Sequence, residues 1–161
     1  MRLLVVLLAI LLMGVAPPAW AEFSAPPEKA CSYLNGTGIK TGSYKNLAGA
    51  RGCVSRYFDL SDGLPANDIA YYVAGTPTAA TKLKLVLNVH DRANETSARQ
   101  SLVLYANKLV KESLQLDMLG DLQAAIMKGK PRSWKKGVAR IGLIRDDWPS
   151  GKGYSLKLVI D

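Results

Sequence analysis

Six cations and one indole crowd a short stretch near the C-terminus: Lys128, Lys130, Arg132, Lys135, Lys136 and Arg140, with Trp134 among them. No Asp or Glu occurs from Leu122 to Ile144. Cations gathered in this way attract phosphate or carboxylate groups with a strong salt dependence, and an indole beside them can stack or sit at a membrane interface. The plainer reading is a solvated helix–strand connection whose lysines blunt a sheet edge.

Other chemistry-bearing residues are sparse. His90 is the single histidine and is followed by Asp91. An Asp can orient an imidazole for nucleophilic work. Neighbours along a strand point to opposite faces, however, and no Gly-x-Ser-x-Gly elbow supplies a serine. The pair reads as a strand end and a helix cap, so no catalytic residue is expected. Two cysteines and one histidine fall short of the three or four ligands that zinc takes, so neither a metal nor a cofactor is expected. Asp146-Asp147 lies in a Trp-Pro-Ser-Gly stretch and reads as turn chemistry. Asp59 and Asp62 are near enough for a glycoside-cleaving carboxylate pair, with proximity as the sole support. Gly151-Lys152-Gly153 lacks Walker spacing and precedes a strand.

The N-terminus predicts where this chemistry would operate. Arg2, the apolar run Leu3–Val15, Pro17-Pro18 and Ala19-Trp20-Ala21 form the pattern of a secretory signal peptide cleaved after Ala21. Residues 22–161 are then expected to be one domain, periplasmic or secreted. Removing Arg2 takes a single charge from the formal +8, so the exported chain stays basic and is attracted to anionic partners. In an oxidising compartment Cys31 and Cys53 have one intramolecular pairing and are expected to form it.

The elements that must position these residues follow from periodicity. A short helix is predicted around Pro27–Leu34, then a glycine-rich loop from Gly36 to Gly52. Strands are predicted at Cys53–Leu60, Asp68–Ala74 and Lys82–His90, the last with Leu83, Leu85, Leu87 and Val89 facing one way. Helical spacing marks Glu95–Leu116 and about Met118–Lys128, stopped by Lys128, Gly129 and Pro131. Trp134–Arg145 and Tyr154–Ile160 read as a closing hairpin. The expected fold is therefore α+β, in the order α-β-β-β-α-α-β-β: a five-stranded antiparallel sheet with two helices on one face. The other face would carry Tyr57, Ala70, Tyr72, Val86 and Val159 among Lys84, Asn88 and Lys157. An aromatic and aliphatic centre with a polar border suits a protein interface, unless the N-terminal helix and its loop cover it.

Two resemblances bear on function. The element order is similar to that of type III secretion chaperone-like domains, which implies a dimeric protein-binder. The likeness is one of topology, and a basic, exported, disulfide-bearing chain departs from those acidic cytoplasmic proteins. Ser150-Gly151-Lys152-Gly153-Tyr154 resembles the Ser-Gly-x-x-Tyr-type loops of periplasmic lysozyme inhibitors, which implies a loop whose Lys152 meets the acidic cleft of lysozyme. Those inhibitors are all-β, and a hairpin turn accounts for the same five residues. The expected function is an exported, non-catalytic binding or accessory protein. Its partner would be another protein, a second copy of the chain, or an anionic envelope polymer or membrane surface; nucleic acid is not expected as the primary partner. The alternative is an envelope-directed lysozyme inhibitor or hydrolase.

Overall fold

The alternating segments become one antiparallel sheet and the helically spaced ones a layer on one of its faces, in a computed structural model that describes residues 22–47, 49–61 and 63–161. The segment 1–21, expected to be a signal peptide, and Asp62 lie outside those residues. The chain runs α1 (Pro27–Ser32), β1 (Lys45–Leu47), β2 (Ala50–Val54), β3 (Phe58–Asp59), β4 (Asp68–Gly75) and β5 (Ala80–Val89). A 3-10 turn (Arg92–Asn94) leads into α2 (Glu95–Leu114) and α3 (Gly120–Lys128), followed by β6 (Arg132–Lys136), β7 (Ala139–Asp147) and β8 (Tyr154–Ile160). The sheet order is β1-β2-β4-β5-β8-β7-β6, with β3 also paired to β4.

The α+β class with an antiparallel sheet is as expected, but the sheet has eight strands rather than five. Three local breaks explain the difference. Within the glycine-rich stretch, Gly49 takes φ +91° and lets Lys45–Leu47 fold back on β2. The run Cys53–Leu60 leaves the sheet after Ser55, at exposed Arg56 and Tyr57, and rejoins as β3. Trp134–Arg145 is itself a hairpin: Gly137, at φ +58°, makes with Val138 a two-residue turn that a side chain at 137 would strain. The helix count also differs, because α1 joins α2 and α3 on the same face. The Tyr71 hydroxyl, which points to that face, donates to the Ala30 carbonyl at 2.8 Å.

The central strand is β5, whose Leu83, Leu85 and Leu87 are fully buried as their alternation requires. They pack beneath Leu102, Ala106 and Leu109 of α2 and Leu122 and Ile126 of α3. Apolar burial of this kind is the main favourable term in folding. The predicted stop of α3 holds: Gly129 is left-handed, its N–H donates to the Ile126 carbonyl, and Lys130 N–H reaches back to Ala125. Cys31 and Cys53 form a disulfide that ties α1 to β2. Thr41 Oγ1 adds a bond to the Cys31 carbonyl at 2.8 Å, and Thr41 bridges to Ser55, so the loop is held at its middle as well as its ends.

Candidate binding face

All three helices pack on one side, and the opposite side of the sheet has no covering element among the described residues. Cross-strand partners share a face, so the register sorts that open side into rows. One row reads Val54, Tyr72, Lys84, Val159, Gly142 and Ser133. The next reads Ala70, Val86, Lys157 and Ile144. A solvated antiparallel face is ordinarily polar. This one has an apolar seam through it.

Tyr57 and Tyr72, separate in sequence, are brought together: the Tyr72 hydroxyl donates to that of Tyr57 at 3.1 Å. Lys84 Nζ lies 4.6 Å from the Tyr72 ring centroid, a cation–π contact that fixes the ring at the surface. Tyr57 is 57 % exposed and Ile144 45 %, whereas Val86 is only 7 % exposed and contributes shape more than area. Gly142 has no atom within 4 Å of where its Cβ would stand. It opens a hollow of about 500 Å³ bordered by Ser133, Arg140, Ile144 and Val159.

Most charges on this face are matched. Arg140 makes a two-pronged contact with the Asp161 carboxylate at 3.0 and 3.1 Å, Lys82 reaches Asp161 at 3.6 Å, and Lys157 pairs with Asp146. The Arg140 hydrogen bond holds the Asp161 carboxyl below its ordinary pKa. Lys84 and Lys135 have no acidic partner among the described residues.

The basic segment does not form one surface. Lys135 and Arg140 pair across the β6–β7 hairpin on the open side. Arg132, Trp134 and Lys136 pair with Leu143, Ile141 and Ala139 and so belong to the helix side. Trp134 packs against the core there, its indole N–H buried with no acceptor among the described residues. Arg132 stands 5.6 Å from the Trp134 ring and 3.4 Å from Asp121. Lys128 and Lys130 flank the α3 cap, both exposed.

His90 pairs with Asp68 at 3.0 Å, not with Asp91, whose carboxylate instead caps the 3-10 turn through Ala93 N–H. Sequence reading missed the chain of donors that ends on the same Asp68. Trp148 Nε1 donates to Ser155 Oγ at 3.1 Å, Ser155 to Asn88 Oδ1 at 2.7 Å, and Asn88 Nδ2 to Asp68 at 2.9 Å. The Ser155 hydroxyl thus gives its proton to an amide rather than to the imidazole. That wiring locks side chains and does not prepare a nucleophile. In the Ser150–Tyr154 segment, Ser150, Gly151 and Lys152 are exposed at the turn, but Tyr154 is fully buried.

Burial first, and the bond to Tyr57 second, push the Tyr72 phenol from 10.0 up to about 12; burial also raises Tyr71 and Tyr154. Folded-state values above unfolded ones mean stability that is complete below pH 10 and lost as pH rises through about 12. Urea unfolding should therefore show a stability loss between about pH 10 and about pH 12 that the Tyr72→Phe variant reduces. A phenolate absorbance titration with every tyrosine ionising near 10 would contradict this. Comparison with protein-family models, with curated proteins and with solved structures finds no match for this chain.

Proposed function

We propose that this chain is an exported, non-catalytic binding protein that takes an acidic protein partner on the open face of its sheet. The observation that carries the reading is the apolar seam Tyr57, Tyr72, Val159 and Ile144 on a face without covering helices. Aromatic side chains at the centre of a patch supply most of the energy of a protein interface. Unmatched Lys84 and Lys135, on a chain of formal charge +8, favour a partner with acidic groups around an apolar contact. The buried Cys31–Cys53 disulfide accords with an oxidising compartment.

The test is a photoreactive residue placed at Tyr72 or at Val159, with exposed Leu104 of α2 as the control position. One defined adduct from both face positions, and none from the control, is the expected result. Labelling that is the same at all three positions would overturn the proposal. An adduct of twice the chain mass would replace the foreign partner with a second copy.

A further inference from the structure

On the other side of the sheet, three arginines from three elements converge on one buried ring. Arg92 of the 3-10 turn, Arg99 of α2 and Arg145 of β7 have guanidinium carbons 5.7, 5.5 and 3.9 Å from the Tyr154 ring centroid. Bringing like charges together costs free energy unless acids or an anion offset it. Two acids do so in part. Glu95 accepts from Arg99 Nη2 and from the Tyr154 hydroxyl, each at 3.0 Å, and Asp147 binds Arg145 in a fork. Among the described residues Arg92 makes no ion pair, and its Nη2 donates to the Gly151 carbonyl at 3.3 Å.

More cations surround this rim. A Cβ on Gly129 would stand 2.9 Å from Arg145 Nη1 and 3.1 Å from Arg99 Nη2, so the α3 cap lies directly against both guanidiniums. Lys128 and Lys130 are its chain neighbours, and Lys152 follows the Gly151 that Arg92 touches. None of the three lysines has an ion pair among the described residues. Arg92, Arg99 and Arg145 thus meet Glu95 and Asp147 at the rim, and three exposed lysines stand one residue in sequence from Gly129 or Gly151. The positive end of the long helix α2 adds to this potential, and the C-terminal carbonyls of α3, of which Met127 accepts from Arg99 Nη1 at 3.0 Å, subtract from it.

We propose that this rim is a phosphate-binding site. A surplus of positive charge calls for a multiply charged anion rather than a single carboxylate, and the Arg92 guanidinium can meet phosphate oxygens in a fork, whereas Arg99 already donates to Tyr154, Met127 and Glu95 and Arg145 to Asp147. Arg99 and Arg145 are preset by their acids and by the ring. Arg92, exposed and lightly held, is the group free to close on the ligand. The site is on the opposite side of the sheet from the proposed protein interface and stands or falls independently of it.

The experiment is an amide chemical-shift titration of the intact chain with inorganic phosphate and pyrophosphate at low salt. Saturable shifts are expected at Arg92, Gly129, Lys130 and Gly151. Arg92→Gln, which removes only a surface contact, should weaken binding about tenfold, the loss of one charge-assisted hydrogen bond. Lys45→Ala on β1, an exposed lysine outside both proposed sites, should leave it unchanged. Flotation with phosphatidylglycerol and with phosphatidylcholine vesicles separates the sources: Arg92-dependent retention on the first alone assigns a lipid headgroup. Phosphate binding without that retention assigns a soluble phosphate. No saturable shift, or an Arg92→Gln variant that titrates like the parent, overturns the site.

Discussion

Replacing both cysteines, Cys31→Ala with Cys53→Ala, is expected to lower folding stability by about 3 kcal/mol on the chain-entropy model. For a domain of this size that corresponds to a fall in Tm of roughly 10 °C. The bond closes a sequence separation of 22 residues and ties the short helix α1 to a strand near the sheet edge. At six residues α1 is too short to persist by propensity, so its place depends on packing and on this link. The bonds from Thr41 to Cys31 and from Tyr44 to Thr76 hold the intervening glycine-rich segment only while its ends stay docked. Proteolytic nicking between Gly36 and Lys45 should therefore appear in the variant and in the parent under reductant. Equal thermal midpoints with and without reductant would show that the disulfide does not hold this corner.

Much of this layout is legible in the residues themselves, and the exceptions share a cause. Leu83, Leu85, Leu87 and Val89 announce a half-buried strand because one face must be apolar, and no tertiary fact is needed to see it. Lys128-Gly129 announces a helix end because glycine is at ease in the left-handed conformation. The same alternation places Tyr72 and Val159 together on the open side, as the register does. What fails is anything that depends on a turn hidden inside a periodic run. Gly137 looks like one weak residue in a strand; as a hairpin turn it adds a strand and sets Lys135 opposite Arg140. Alternation along each strand then sends Lys135 and Lys136 to opposite faces.

Sites built across the sheet are illegible for a related reason. His90 meets Asp68 because β4 and β5 are antiparallel, but a bulge at Ala74/Gly75 shifts the register by one, so a count from the Gly75–Ala80 turn would set Asp68 opposite Leu87 instead of Asn88. No such count leads to Arg92, Arg99 and Arg145. Their convergence on Tyr154 needs the crossover through α2 and α3, which brings distant parts of the chain to one rim. Local spacing carries no trace of that path.

Gly153→Ala is expected to cost about 3 kcal/mol or more, as overpacking against atoms that cannot move. The added Cβ would stand 2.3 Å from the Val89 carbonyl oxygen of β5 and 2.5 Å from the Trp148 ring. Neither is the free end of a flexible side chain. The carbonyl belongs to the central strand; the ring lies 4.8 Å from that of His90 and is anchored through Nε1 to Ser155. Relief requires Trp148 to leave, which strips Ser155 of its donor and loosens the bonds through Asn88 to Asp68. Gly142→Ala is the matched control, because an added Cβ there meets nothing within 4 Å; its change should stay within about 0.5 kcal/mol. Urea unfolding reads the stability difference, and the Trp148 indole resonance reports whether the ring has been displaced. Equal stability of the two variants would show that the turn gives way cheaply. Gly153 directly precedes Tyr154, so a displaced Trp148 with the arginine rim still able to take phosphate would show that the two faces are built independently across one strand.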